Sequence, residues 1–418
     1  MSLGRKPELL CPARDPEALR AAVDYGADAV YIGGEAFSLR SKATNFTLDQ
    51  MAEGCAYAHK YGRRIHVAAN ILAHEADIEK AADYFRELNG LDIDAVLVAD
   101  PGMFMLCREY CPGKEIHIST QASLTNSLSF DFWHRQGAKR VVCARELSLE
   151  EIASIRKKTD PGLEIETFVH GSMCVSYSGR CLLSNYFAGR DANRGECSHP
   201  CRWKYAVAEE TRPGQYLPLE ENDRGTFIFD AGDMCMIHRL KDLCLAGVDS
   251  LKIEGRMKTP LYVATVARAY RLALDDLFED EEKYFSNIPE YLREIKKCTY
   301  RPFNTGFYYG RPGNEGMNPA AGDYLSGAVW IGIVEKVRGP KASFIQRNRF
   351  FVGEEIEVMK RDGRNIPLTV AEIRVGDGPP VTNAPRPLED LRVSFNTADG
   401  KDAEGVLEPG DILRRIDR

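Results

Sequence analysis

Short apolar runs alternate with longer amphipathic ones along the first two thirds of the chain. The apolar runs fall at residues 9–11, 29–32, 65–69, 95–98, 116–119, 141–143, 165–169 and 250–253. Each has strand length, is bounded by turn residues, and is apolar enough to be buried on both faces, as parallel strands are. Between them lie helical patterns at 15–25, 47–61, 77–88 and 148–158, with Asp15 and Thr47 as N-caps and Pro16 in a first turn. Eight strands alternating with helices predict an α/β fold, a (β/α)8 TIM-like barrel. An open doubly wound sheet is the rival. The chain has no Gly-x-Gly-x-x-Gly after its first run, which counts against the dinucleotide-binding form of that rival.

The spacing breaks once, between the seventh and eighth runs, where the connection is far longer than a normal βα loop. The reading is therefore a barrel domain over 1–275, with an insertion at 171–248 after strand seven. A helix at 260–277 closes the barrel, and the acidic stretch 275–282 reads as a linker within a 276–326 linker and helical extension. From Gly327 the pattern changes to alternating strands with Gly and Pro turns, at 329–337, 342–345, 355–360, 368–375 and 390–395. That predicts a small C-terminal antiparallel β-barrel or sandwich over 327–418, an accessory domain with balanced charges.

Composition narrows the setting. No stretch approaches the ~18 apolar residues that span a bilayer, and Met1 to Pro7 lacks an apolar signal core, so no membrane association and a cytoplasmic location are expected. A net charge of −7 gives no global argument for nucleic acid, so any such site must be a local basic patch. Twelve cysteines in a reducing compartment do not suggest disulfides. Cys11, Cys55, Cys107, Cys143 and Cys244 lie inside strand or helix patterns and read as core.

Four others depart from that pattern. Cys174, Cys181, Cys197 and Cys201 fall within 28 residues of the insertion, among glycines and prolines that let the backbone turn tightly enough for thiolates to converge. They read as one metal site. Structural zinc uses closely paired ligands, and here only Cys197 and Cys201 are close, so the uneven spacing fits an iron–sulfur cluster better, with zinc as the alternative. His199 is a possible substitute ligand and Cys235 a reserve fourth. Arg180, Arg190, Arg194, Arg202 and Lys204 interleave with Tyr177, Tyr186, Phe187 and Trp203, a composition suited to phosphates and unstacked bases or to a solvated loop.

Barrel active sites sit at the C-terminal strand ends. The sequence offers there Glu35 and Arg40, Asn70 and His74, Asp100, Ser119, Gln121, Ser123 and Asn126, Arg145 and Glu146, His170, then Glu254, Arg256 and Lys258. Within this set His170, Glu254 and Arg256 are the catalytic candidates. Arg40, Asn70, His74, Gln121, Arg145 and Lys258, with Arg180 and Arg202 of the insertion, are the substrate-binding candidates. Such Arg, Lys, Asn and Gln groups suit a small carboxylate clamped by bidentate hydrogen bonds.

The run from Glu166 through Phe168, Gly171-Ser172 and Cys174, followed by Gly179-Arg180-Cys181-Leu182-Leu183-Ser184, resembles the signature of the collagenase-like peptidase family of unassigned catalytic type. The segments Glu8–Ala13, Ala27–Gly33 and Lys252-Ile253-Glu254-Gly255-Arg256 resemble it too. The resemblance implies oxygen-independent hydroxylation with a 4Fe–4S cluster on Cys174, Cys181, Cys197 and Cys201. It is nearest to a branch acting on tRNA, which forms 5-hydroxyuridine at the wobble position with prephenate as hydroxyl source. Proteolysis is the alternative activity. The chain has no Gly-x-Ser-x-Gly elbow, and Ile78 stands where a His74-Glu75 zinc-protease helix needs its second histidine. A cysteine nucleophile such as Cys174 with His170, or a role as RNA-binding iron–sulfur subunit of another hydroxylase, stays open.

Overall fold

The computed structural model describes residues 3–39, 45–174, 176, 179–203, 206–208, 216–218, 232–310, 324–384 and 386–417. Strands β1 (Glu8–Pro12), β2 (Ala29–Gly33), β3 (Arg64–Ala68), β4 (Ala95–Val98), β5 (Glu115–Ile118), β6 (Arg140–Val142) and β7 (Glu164–Ser172) pair in parallel, each with the next. Past a short hairpin of β8 (Ala206–Ala208) and β9 (Tyr216–Pro218), strand β10 (Asp233–Cys235) lies antiparallel to β7. Strand β11 (Ser250–Ile253) pairs in parallel with both β7 and β1. Eight parallel strands thus close on themselves. The barrel expected from the alternating runs is the observed architecture, and the open sheet is excluded.

Helices α1 (Pro16–Asp24), α2 (Leu48–Lys60), α3 (Ile78–Asn89), α4 (Pro101–Tyr110), α5 (Ser127–Gln136) and α6 (Leu149–Lys158) follow the first six strands. Their starts are written in the sequence. Thr47 and Ser148 form capping boxes with Gln50 and Glu151, and Asp15, Asp100 and Asn126 accept backbone N–H groups of the helices they precede. Asp100 and Asn126, which stood among the strand-end candidates, are therefore caps.

The break after β7 is narrower than the 171–248 expectation. Gly171 and Ser172 belong to β7, and from β10 onward the chain returns to the barrel wall through α8 (Leu240–Leu245). Among the described residues of the intervening segment are a six-residue helix, α7 (Leu183–Ala188), and two 3-10 turns. Helix α9 (Pro260–Glu279) is buried along most of its length between the barrel and the C-terminal sheet, and α10 (Glu281–Ile295) follows at once. The acidic stretch 275–282 is thus not a linker. Asp276 pairs with Lys283 and accepts a hydrogen bond from Tyr291, and Asp280 caps α10, so these carboxylates hold a helix–helix corner.

The short strand β12 (Phe303–Asn304) adds to the edge of β10. The C-terminal residues form an antiparallel sheet with its own apolar core, including Phe344, Phe350, Val358 and Phe395. Its tie to the barrel is buried and partly apolar, since Met359 and Ile412 join the barrel's core, and partly polar. Glu294 accepts from Arg268 and Arg414, both at 2.5 Å, and Tyr25 donates to the Met359 carbonyl at 2.8 Å.

Candidate functional site

The barrel lumen divides into two levels. At the lower one, inward residues of four neighbouring strands, β6, β7, β11 and β1, are charged. Arg140 bridges Glu8 (2.5 Å), Glu164 (2.7 Å) and Glu166 (2.9 Å), and Lys252 donates to Glu166 at 2.8 Å. Glu166 is fully buried. Burial alone would raise its pKa, but Lys252 and Arg140 outweigh that and lower it to about 2. The charges are mutually satisfied, so this level is a floor.

Above it, at the C-terminal strand ends, lies a cavity lined by Tyr31, Asn70, Ser119, Gln121, Arg145, Phe168, Lys252, Glu254 and Arg256 from the barrel. Its upper wall is the segment after β7, which contributes Cys174, Cys181, Leu183, Asn193, Cys197 and Cys201. Specific contacts seat that wall. The Leu72 N–H donates to the Asn193 carbonyl at 3.1 Å, and Arg194 pairs with Asp77 at 3.0 Å. Gly179 lies against the Gln121 carbonyl with φ of +71°, where a side chain would collide. Within the wall, Ser184 Oγ accepts the Ser198 N–H at 2.9 Å and bonds Ser198 Oγ at 2.8 Å, tying the Cys181 and Cys197 loops together.

The cysteines separate by environment. Cys174 is exposed, Cys181, Cys197 and Cys201 are half-buried, and all four line the cavity; the other eight are buried. Among the described residues no three His, Cys, Asp or Glu side chains are gathered tightly enough for a single metal ion. Four thiols on one cavity are the donor type that an iron–sulfur cluster takes. Cys235 pairs across β10 with His170, lies near Tyr270 Oη and is not among the cavity residues. Burial pushes its thiol up to about 11. His199 is exposed and also lies off the cavity lining.

The polar candidates divide as well. Arg145 donates to the Ser172 carbonyl at 3.1 Å and lies over Phe168, 5.3 Å from the ring centre. Burial opposes its charge, but Cys174 and then Glu254 outweigh this and raise its pKa. Arg256 is buried and donates to Ser38 Oγ at 2.8 Å. Tyr31 Oη donates to Glu254 Oε2 at 3.0 Å, and Asn70 Nδ2 to Ser119 Oγ at 3.0 Å. Asn70 Oδ1 is buried without a partner among the described residues, which leaves an acceptor for an incoming donor.

His170, Lys258, His74 and Arg180 are not among the residues that line the cavity. Phe168 pairs with Lys252 and His170 with Ile253, so β7 carries an extra residue at Val169. This bulge reverses the inward alternation and turns His170 out against Tyr270, Tyr262 and Phe303. Burial there lowers its pKa to about 3. Lys258 stacks over Tyr324 (3.8 Å) and Tyr262 (5.3 Å). His74 is exposed before a 3-10 turn, and Arg180 is exposed beside Cys181. Arg40, Tyr177 and Lys204 lie outside the described residues, as does the side chain of Arg202. Tyr31, Ser38, Lys252 and Asn193 were missed. Alternation along β11 points from Glu254 back to Lys252, whereas nothing local singles out the other three.

A closed parallel barrel with its polar cavity at the C-terminal strand ends defines a member of the (β/α)8-barrel class. The chain belongs to peptidase family U32, whose model matches residues 14–318, with the family's C-terminal domain model matching 328–414. It is 40% identical to tRNA hydroxylation protein P1 of Bacillus subtilis over 396 residues, covering 94% of this chain and 92% of that one. It is 34% identical to tRNA hydroxylation protein P of Escherichia coli, covering 91% and 92%. The 23S rRNA 5-hydroxycytidine C2501 synthase of Escherichia coli is 32% identical, covering 86% of this chain and 55% of its own length. Among the described residues no helix is long and apolar enough to cross a membrane.

Proposed function

We propose that this chain is a tRNA hydroxylase that forms 5-hydroxyuridine at the wobble position without molecular oxygen. In this reading prephenate supplies the hydroxyl group, and a 4Fe–4S cluster is held by Cys174, Cys181, Cys197 and Cys201. The observation that carries it is the meeting, in one cavity, of the four thiols outside the core with a set of carboxylate-binding side chains. The names of the full-length relatives supply the reaction class.

A bound cluster supplies electron transfer or a Lewis-acidic iron. The chain's own residues do the positioning. Arg145 and Arg256 present guanidinium groups suited to carboxylates, and Asn70 and Gln121 offer hydrogen bonds to a base edge or hydroxyl. Replacing hydrogen by hydroxyl on a pyrimidine carbon is a two-electron oxidation, so prephenate, as its C–O bond breaks, would both give up the hydroxyl group and take up the electron pair, while the pyrimidine hydrogen leaves as a proton. Glu254, the one carboxylate among the described lining residues, is placed at the cavity to accept it. The peptidase alternative requires a base beside Cys174, and His170 is turned away from the cavity.

The test is anaerobic purification, assay of iron and sulfide, then incubation with unmodified tRNA and prephenate and mass spectrometry of the nucleosides. New 5-hydroxyuridine from the single chain, lost in a Cys174→Ala/Cys181→Ala variant, is the expected result. Product from that variant would overturn the cluster. No product from iron-loaded chain would favour a subunit role, and casein cleavage by metal-free protein would favour the peptidase.

A further inference from the structure

We infer that Tyr186, Phe187 and Trp203 form a stacking platform for the nucleotides flanking the target base, an inference that rests on the RNA-hydroxylation reading. Tyr186 is 82% exposed, Trp203 46% and Phe187 43%, an unusual display of large rings on one short segment. They are contiguous, with ring centres 5.1 Å apart from Tyr186 to Phe187 and 6.4 Å from Phe187 to Trp203.

Their place in the fold ties them to the cavity. Tyr186 and Phe187 lie on α7, whose Leu183 lines the cavity, and Trp203 follows Cys201, another lining residue. A base can enter among those thiols only by leaving its stack, and its neighbours then lose a face each. Aromatic rings at the mouth replace those faces regardless of sequence, because every base has one. The charge nearby suits a phosphate backbone. Arg180 is exposed, and Arg190, just beyond α7, keeps one buried guanidinium nitrogen without a partner among the described residues. Glu196 is the exposed opposing charge in this segment. With a net charge of −7, attraction for a polyanion has to be local, and this is where the rings and cations coincide.

The test titrates a fluorophore-labelled RNA hairpin carrying an unmodified anticodon loop with iron-loaded protein, following the anisotropy of the label, a signal that every variant can give. Tyr186→Ala and Trp203→Ala should each weaken Kd by about tenfold, with kcat at saturating tRNA kept and Trp203→Phe near wild type. Unchanged affinity in the double alanine variant, with wild-type hydroxylation intact, overturns the platform and leaves the hydroxylase reading standing. Lost affinity together with lost iron also overturns it, as does displacement of the hairpin by an apolar peptide. A wild-type chain that hydroxylates no tRNA defeats both readings.

Discussion

Cys143 and Cys174 stand on successive barrel elements and meet opposite surroundings. Cys143, just past β6, is 1% exposed, and burial followed by the negative Glu166 pushes its thiol up to about 12. Cys174, just past β7, is exposed to the cavity and interacts with Arg145. The same contrast holds for charge, since Glu166 in the floor is enclosed by cations while Glu254 lines the cavity. In this barrel a polar group below the cavity is a structural element, and the same group one level up is available to a ligand.

The largest effect that would break this contrast is loss of activity without loss of fold. The Cys174→Ala/Cys181→Ala variant should make no detectable 5-hydroxyuridine, while its cluster-free unfolding free energy stays within ~0.5 kcal/mol of the cluster-free parent. A large shift in urea melts would make these thiols part of the core. Below the cavity the order is reversed. Glu166→Gln leaves Lys252 and one side of Arg140 buried without their shared anion, at a cost of about 3–5 kcal/mol. The pH dependence has a definite sign. Because the folded pKa of Glu166 is lowered from 4.5 to about 2, its stabilisation is present above 4.5 and is lost as pH falls from there toward 2. Acid titration of unfolding should show that slope in the parent and a weaker one in the variant.

Much of the fold was legible because two signals agreed. Apolar runs such as 95–98 marked buried parallel strands, and caps at Asp15, Thr47 and Ser148 marked helix starts. The acidic stretch 275–282 misled because a solvated charge run and a helix–helix corner have the same composition; only Tyr291 and Lys283, reached through folding, distinguish them. The site divided along similar lines. Glu254, two residues past the inward Lys252, could be placed from alternation, whereas Arg145 has the opposite parity to the inward Arg140 and reaches the cavity from past the end of its strand. His74 lies well past the end of β3, where alternation no longer applies, and Asn193 reaches the cavity only because its segment folds back over the barrel. Spacing alone did not single out the four thiols, since Cys107 and Cys111 are as close in sequence as Cys197 and Cys201; the polar, glycine-rich surroundings did.

A smaller effect sharpens the thiol contrast. Cys143→Ser buries a hydroxyl in an apolar strand environment and should cost about 1–3 kcal/mol while hydroxylation continues. Brief alkylation of native cluster-free protein near neutral pH, read by peptide mass spectrometry, should mark Cys174, Cys181, Cys197 and Cys201. It should spare Cys143 and Cys235, whose burial holds them protonated at about 12 and 11. Labelling of Cys235 at the cavity rate would return it to the ligand set.

The smallest expected change comes from His170, which the sequence presents as a catalytic histidine and the bulge in β7 removes from the cavity. His170→Phe keeps a ring among Tyr262, Tyr270 and Phe303, so turnover should stay within about twofold; loss of a general acid or base costs about 10²–10⁴. The pH dependence of stability gives a second readout. The folded pKa is lowered to about 3 from an ordinary 6.5, so the unfolded chain binds the extra proton between these values. Stability of the parent therefore falls as pH drops from 6.5 toward 3, and the phenylalanine variant should lack that contribution. A variant with a hundredfold loss of turnover and an unchanged acid slope would place His170 back at the chemistry. The division between floor and cavity would then fail at β7, the strand that carries residues of both.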